Sequence, residues 1–109
     1  MKDFKFVNAA ALKEFKKLPK DVQLQFATSI NAVAQGECPL VDFEYLSKSV
    51  GKGAIELKIN ASPAFRSIYC AKFNDTVFIL HSFTKTTNGV DRKAMSTAKE
   101  RYKLMQSQL

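Results

Sequence analysis

From Ala9 onward the apolar residues Ala11, Leu12, Phe15 and Leu18 recur three or four apart, the spacing that gathers them on one face of a helix. Asn8 precedes the run as a capping residue, and Leu18-Pro19 ends it, because a proline disfavours helical backbone in the residue before it. Proline suits the opening of a new helix, and Val22, Phe26, Ile30 and Val33 carry the helical period on to Gly36. The pattern predicts an antiparallel helical pair, preceded by a short strand within residues 2–7.

Beyond Gly53 the period changes to two. Ile55, Leu57 and Ile59 alternate with Glu56, Lys58 and Asn60, as in a half-buried strand whose apolar side meets the helices. Ser62-Pro63 and Asn74-Asp75 are turn signals that delimit two more strands, over residues 64–73 and 76–84, so an antiparallel meander is expected. The last of these is apolar through its middle, which predicts a central place in the sheet. After Asn88-Gly89, Asp91 caps a final helix with a stripe of Ala94, Met95, Ala98, Tyr102 and Met105. Between Glu37 and Gly53 neither period holds, and the segment reads as a connection anchored by Phe43, Tyr45 and Leu46, with Gly51-Lys52-Gly53 as a mobile turn. The expected fold is α+β: one domain over residues 1–109, a small antiparallel-dominated sheet with an N-terminal helical pair and a C-terminal helix.

Composition narrows the chemistry. The 109 residues are 46% hydrophobic, enough for one core, and 17 Lys and Arg against 10 Asp and Glu leave a charge of +7 that favours a polyanionic partner such as nucleic acid. Cys38 and Cys70 lack metal-type spacing and His81 is the only histidine, so neither a metal nor a cofactor is expected. The N-terminus lacks a signal-type apolar core and no apolar run approaches the roughly 18 residues of a membrane span. A cytoplasmic protein with no membrane partner is therefore expected.

Within the three predicted strands, Lys58, Arg66, His81 and Lys85 interrupt core-like neighbours. Alternation puts Glu56 and Lys58 on one face, and His81, Phe83 and Lys85 share a parity; whether these faces coincide depends on register. If they do, the cations converge on one surface; otherwise they form a solvated face with cross-strand charge pairs. Arg66 offers a bidentate fork for phosphate oxygens or, alternatively, a salt bridge to Glu56. His81 titrates near neutrality and suits general acid or base work, or else is a hydrogen-bonded structural residue. Lys58 and Lys85 can stabilise phosphate charge without any change in pKa. Lys48, Lys52, Arg92 and Arg101 are further candidates for RNA contact, against the plainer reading of soluble surface. Ser82 makes no catalytic pair with His81, since neighbouring strand side chains point to opposite faces.

The order strand, helix, Leu18-Pro19, helix, Gly36, followed by Glu56-Leu57-Lys58, Phe65-Arg66-Ser67-Ile68-Tyr69, Leu80-His81-Ser82-Phe83-Thr84-Lys85 and Ala98-Lys99-Glu100-Arg101, resembles the RelE/ParE toxin superfamily, nearest its HigB-like, phage-derived branch. The resemblance spans nearly the whole chain. It implies a toxin held inactive by a cognate antitoxin, a small helix-turn-helix protein, and a metal-free endoribonuclease that cuts mRNA on the ribosome by attack of a ribose 2′-hydroxyl. It further implies phosphate stabilisation by Arg66 and Lys85, with His81 or Lys58 in proton transfer. Members of the superfamily that inhibit DNA gyrase, or a non-enzymatic phage-derived module binding RNA or protein, are the alternatives.

Overall fold

Two of the three helices begin where side chains satisfy their first free N–H groups: Asn8 Oδ1 accepts from Ala11 N at 2.9 Å and Asp91 Oδ1 from Ala94 N at 3.0 Å. The structure, a computed structural model, describes residues 1–109. Its elements are β1 (Asp3–Phe6), α1 (Ala9–Lys17), α2 (Lys20–Ala34), β2 (Asp42–Tyr45), β3 (Ala54–Ile59), β4 (Ala64–Cys70), β5 (Thr76–Lys85) and α3 (Arg92–Ser107). Gly36, with φ +84°, follows α2 in the left-handed conformation that ends helices.

The strands form one sheet in the order β1-β5-β4-β3-β2, in which β1 runs parallel to β5 and every other pair is antiparallel. The expected α+β class and meander are therefore present, with β5 in the interior between β1 and β4. Two expectations change. The connection over residues 37–53 contains a strand, β2, whose four residues are all exposed because it is the sheet edge. The Gly51-Lys52-Gly53 turn is pinned: Tyr102 Oη donates to the Lys52 carbonyl at 2.7 Å, and a Cβ at Gly51 would lie 2.5 Å from the Tyr102 ring.

The sheet divides two apolar clusters. On one face Val22, Phe26 and Ile30 of α2 cover Leu57, Phe65, Tyr69, Val77 and Ile79, so the side of β3 predicted to meet a helix does so. On the other, Ala98, Tyr102 and Met105 of α3 cover Ala54, Ile68, Cys70, Phe78 and Leu80. Each large side chain buried in this way contributes about 1.5–3 kcal/mol relative to exposure, so these stripes hold all three layers together. α1 straddles the β5 edge, with Ala11 in the α3-side cluster and Phe15 against the α2-side one.

An irregularity in β5 governs the rest. Tyr69 pairs with Ile79 but Ile68 pairs with His81, which leaves Leu80 as an extra residue. One inserted residue reverses the alternation beyond it. Val77 and Ile79 face α2, whereas His81, Phe83 and Lys85 face the α3 side, opposite Ile68, Arg66 and Ala64. β1 pairs with β5 only as far as Ile79, so this same stretch loses its parallel neighbour.

Candidate active site

The α3 helix covers only part of its sheet face. Past its N-terminus the face opens as a cavity of about 350 Å³ whose floor is Glu56 and Lys58 from β3, Arg66 from β4, and Phe83 and Lys85 from β5. Register brings these residues together: Lys58 lies opposite Arg66, Arg66 opposite Phe83, and Ala64 opposite Lys85. The two faces left open by the sequence thus coincide, and the β5 bulge is the reason. Without it, Ser82 and Thr84 would occupy the places of Phe83 and Lys85. Ser82 instead faces the other way, its Oγ 2.9 Å from Ser67 Oγ.

Arg66 is buried, at 7% exposure, and its one protein hydrogen bond runs from Nη1 to the Phe65 carbonyl at 3.0 Å. No carboxylate lies within 4.0 Å of it, so the alternative reading of Arg66, a salt bridge to Glu56, is not realised. Glu56 is equally buried and accepts no hydrogen bond. Because no fully buried side-chain oxygen or nitrogen in the molecule lacks a partner, its carboxylate and the remaining guanidinium N–H groups of Arg66 reach the cavity. Burial pushes the Glu56 carboxyl above its ordinary pKa, and the charges of Arg66 and Lys58 offset this only in part. Lys58 pairs with Glu44 of the edge strand, and Lys85 Nζ donates to the Thr87 carbonyl at 3.1 Å. An anion entering here meets three cations, while of the three carboxyls in the lining Glu44 is paired with Lys58, Asp91 caps α3, and only Glu56 has no protein partner.

His81 stands apart from this group. It lines an adjacent cleft of about 310 Å³ with Glu14, Thr84, Lys93, Thr97 and Arg101, and Phe83 and Asp91 stand at the border of the two spaces, lining both. Imidazole and phenyl are stacked, with centroids 4.8 Å apart and planes at 23°. His81 Nδ1 is 2.8 Å from Glu14 Oε1. Arg101 donates to both Glu14 oxygens, at 2.6 and 2.8 Å, and to the Leu80 carbonyl at 3.0 Å. The cluster therefore meets backbone of β5 just where β1 has ended. Burial opposes ionisation of Glu14, but the hydrogen bonds from Arg101 and His81 outweigh it and hold the carboxyl below its ordinary pKa. His81 is lowered chiefly by burial, against the opposing pull of Glu14.

The outlying candidates are dispersed. Lys48 is exposed on the loop whose Leu46 and Ser49 form part of the cavity wall, Lys52 is exposed on the pinned turn, and Arg92 is exposed at the start of α3. Arg101 is turned inward onto Glu14. Two acidic residues escaped selection in the sequence. Glu56 carried a signal, an acid between Ile55 and Leu57 on the same strand face as Lys58; Glu14, among the lysines of α1, carried none. No three His, Cys, Asp or Glu side chains approach closely enough to share a metal ion. No helix is long and apolar enough to cross a membrane.

No curated protein matches the chain. A phage-derived protein family does: its pattern covers residues 13–103, from α1 through the cavity-forming strands to the last turns of α3. With the strand order and helices described above, that match places the chain in the phage-derived Gp49-like family (DUF891), a RelE/ParE-like family of toxins from toxin–antitoxin pairs.

Proposed function

We propose that the protein is a HigB-like toxin that cuts translated mRNA on the ribosome, and that the cavity floored by Glu56, Lys58, Arg66 and Lys85 carries the chemistry. The observation that supports this reading most is the convergence of three cations on a buried carboxylate without a protein partner. Attack of a ribose 2′-hydroxyl on the adjacent phosphate needs a group to take the hydroxyl proton, positive charge for the developing dianionic phosphorane, and a proton for the leaving 5′ oxygen. Glu56 fits the first role, since its raised pKa makes it a stronger base than an exposed glutamate. Arg66 and Lys85 take the phosphate oxygens, and Lys58 donates to the leaving oxygen. His81, across the Phe83 ring, contacts the flanking nucleotide instead of the phosphate.

Lys48, Lys52 and Arg92, with the net charge of +7, act as backbone contacts to mRNA or ribosomal RNA. The family reading calls for an antitoxin that blocks the toxin until needed. A translation reaction with purified protein, followed by primer extension on the mRNA, tests the proposal. Cuts that require ribosomes and form far more slowly with Arg66→Ala are the expected result. Intact mRNA together with blocked DNA supercoiling would move the activity to gyrase, and neither effect would leave a binding module.

A further inference from the structure

The cleft beyond Phe83 contains an arrangement that the chemistry of the first cavity does not use. Arg101 Nη1 has two hydrogens, and both are committed, one to Glu14 Oε1 at 2.6 Å and one to the Leu80 carbonyl at 3.0 Å. The 3.3 Å approach of Nη1 to His81 Nδ1 is therefore left without a proton of its own. Glu14, ionised beside Arg101, can only accept. The 2.8 Å contact between Glu14 Oε1 and His81 Nδ1 then requires the imidazole proton on Nδ1. In neutral His81 this leaves Nε2 with a free lone pair, and burial favours that neutral form. Nε2 has no protein partner and is not among buried unpaired atoms, so it opens to the cleft.

We propose that Glu14 and Arg101 are positioning residues that fix His81 as a hydrogen-bond acceptor, and that the cleft is a ribonucleotide subsite in which Nε2 accepts from a ribose 2′-hydroxyl. The inference rests on the reading of the neighbouring cavity as the phosphate site. Arg66 lies opposite Phe83, so His81 is its diagonal neighbour across the strands, about 7–8 Å away at the backbone. That is the reach of one nucleotide. The stacked His81–Phe83 pair forms the wall over which the strand would pass, and Lys93 at the cleft supplies charge for its backbone. A 2′-hydroxyl is the group that distinguishes RNA from DNA, and an acceptor with a fixed tautomer reads it as a donor.

Nitrogen chemical shifts of the imidazole in nitrogen-15-labelled protein test the first half: Nδ1 should be pyrrole-like and Nε2 pyridine-like. A proton on Nε2, or averaged shifts, would overturn it. Titration with oligouridine RNA and with the matching oligodeoxyuridine tests the second. RNA should move the His81 Nε2 signal and bind about three- to tenfold more tightly, the worth of one hydrogen bond. Equal binding of the two, or no response at Nε2, would refute the subsite. Glu14→Gln should release the tautomer and bring RNA and DNA affinities together; Arg101→Lys, which keeps the charge but loses the fork, should do the same in a second folded variant. Uncut mRNA in the translation reaction, with the tautomer and RNA preference intact, would sink the nuclease and spare the subsite. Ribosome-dependent cuts with equal RNA and DNA binding would do the reverse.

Discussion

Glu14 and Glu56 lie on either side of the Phe83 wall and meet opposite electrostatic fates. Glu14 is half-buried, holds a bidentate arginine and a histidine, and is stabilised as an anion. Glu56 is buried, has cations near it but no hydrogen bond, and resists ionisation. The number of nearby positive charges does not separate them; the presence of direct donors does. A hydrogen bond to a charged group offsets the cost of removing it from water, whereas a charge at a distance offsets only part of it. The satisfied carboxylate holds structure together, and the unsatisfied one remains available for chemistry.

The sharpest way to break this contrast is to remove the charge that the Glu56 cavity gathers. Arg66→Ala should lower the ribosome-dependent cleavage rate by about a hundredfold or more, the typical cost of one transition-state donor, with Lys85→Ala next. Both are read by primer extension over time. Glu56→Gln should cost about a hundredfold in the same assay, within the usual range for a general base.

The same Glu56→Gln variant should be more thermally stable than the parent at pH 7. The sign follows from linkage: the folded pKa is raised, so ionisation costs stability as pH rises through the unfolded value and beyond the folded one. The gain should be full above the folded pKa and absent below the unfolded one. A melting series from acid to neutral pH that shows no such convergence would reverse the assignment of Glu56 as the unsatisfied partner.

Glu14→Gln should instead destabilise by about 1–3 kcal/mol in urea unfolding, the worth of hydrogen bonds to a charged group. Its folded pKa is lowered, so the contribution is present above the unfolded value and is lost as pH falls through the folded one. The parent and Glu14→Gln should therefore converge in acid. Glu44→Ala is the smallest effect expected. Its pair with Lys58 sits on the edge strand with 56% of the Glu44 side chain exposed, and the loss should stay below about 1 kcal/mol.

Much of the scaffold was legible because its signals are local. Asn8 and Asp91 cap the helices predicted from them, Leu18-Pro19 separates α1 from α2, and the alternation of Ile55, Leu57 and Ile59 identifies the face of β3 that meets α2. The edge strand β2 was harder to see. Asp42 and Glu44 do alternate with Phe43 and Tyr45, but four exposed residues flanked by irregular chain carry too little apolar contrast to stand out. The β5 bulge was invisible, since Val77 to Leu80 is uniformly apolar and no residue type marks Leu80 as the extra one.

The chemistry divides along the same line. Lys58, Arg66, Lys85 and His81 stood out as polar residues in apolar strands, a contrast written into neighbouring positions. Which of them share a cavity was settled by register and one bulge, because a shift of a single residue reverses every side chain beyond it. Pairing β4 with β5 across that bulge set Arg66 beside Phe83 and Lys85 and left His81 on the far side of the ring, against residues from α1 and α3 that lie 67 positions before it and 20 after it. Local pattern chose the residues, and long-range packing decided their neighbours, since contacts between distant segments depend on how the layers close.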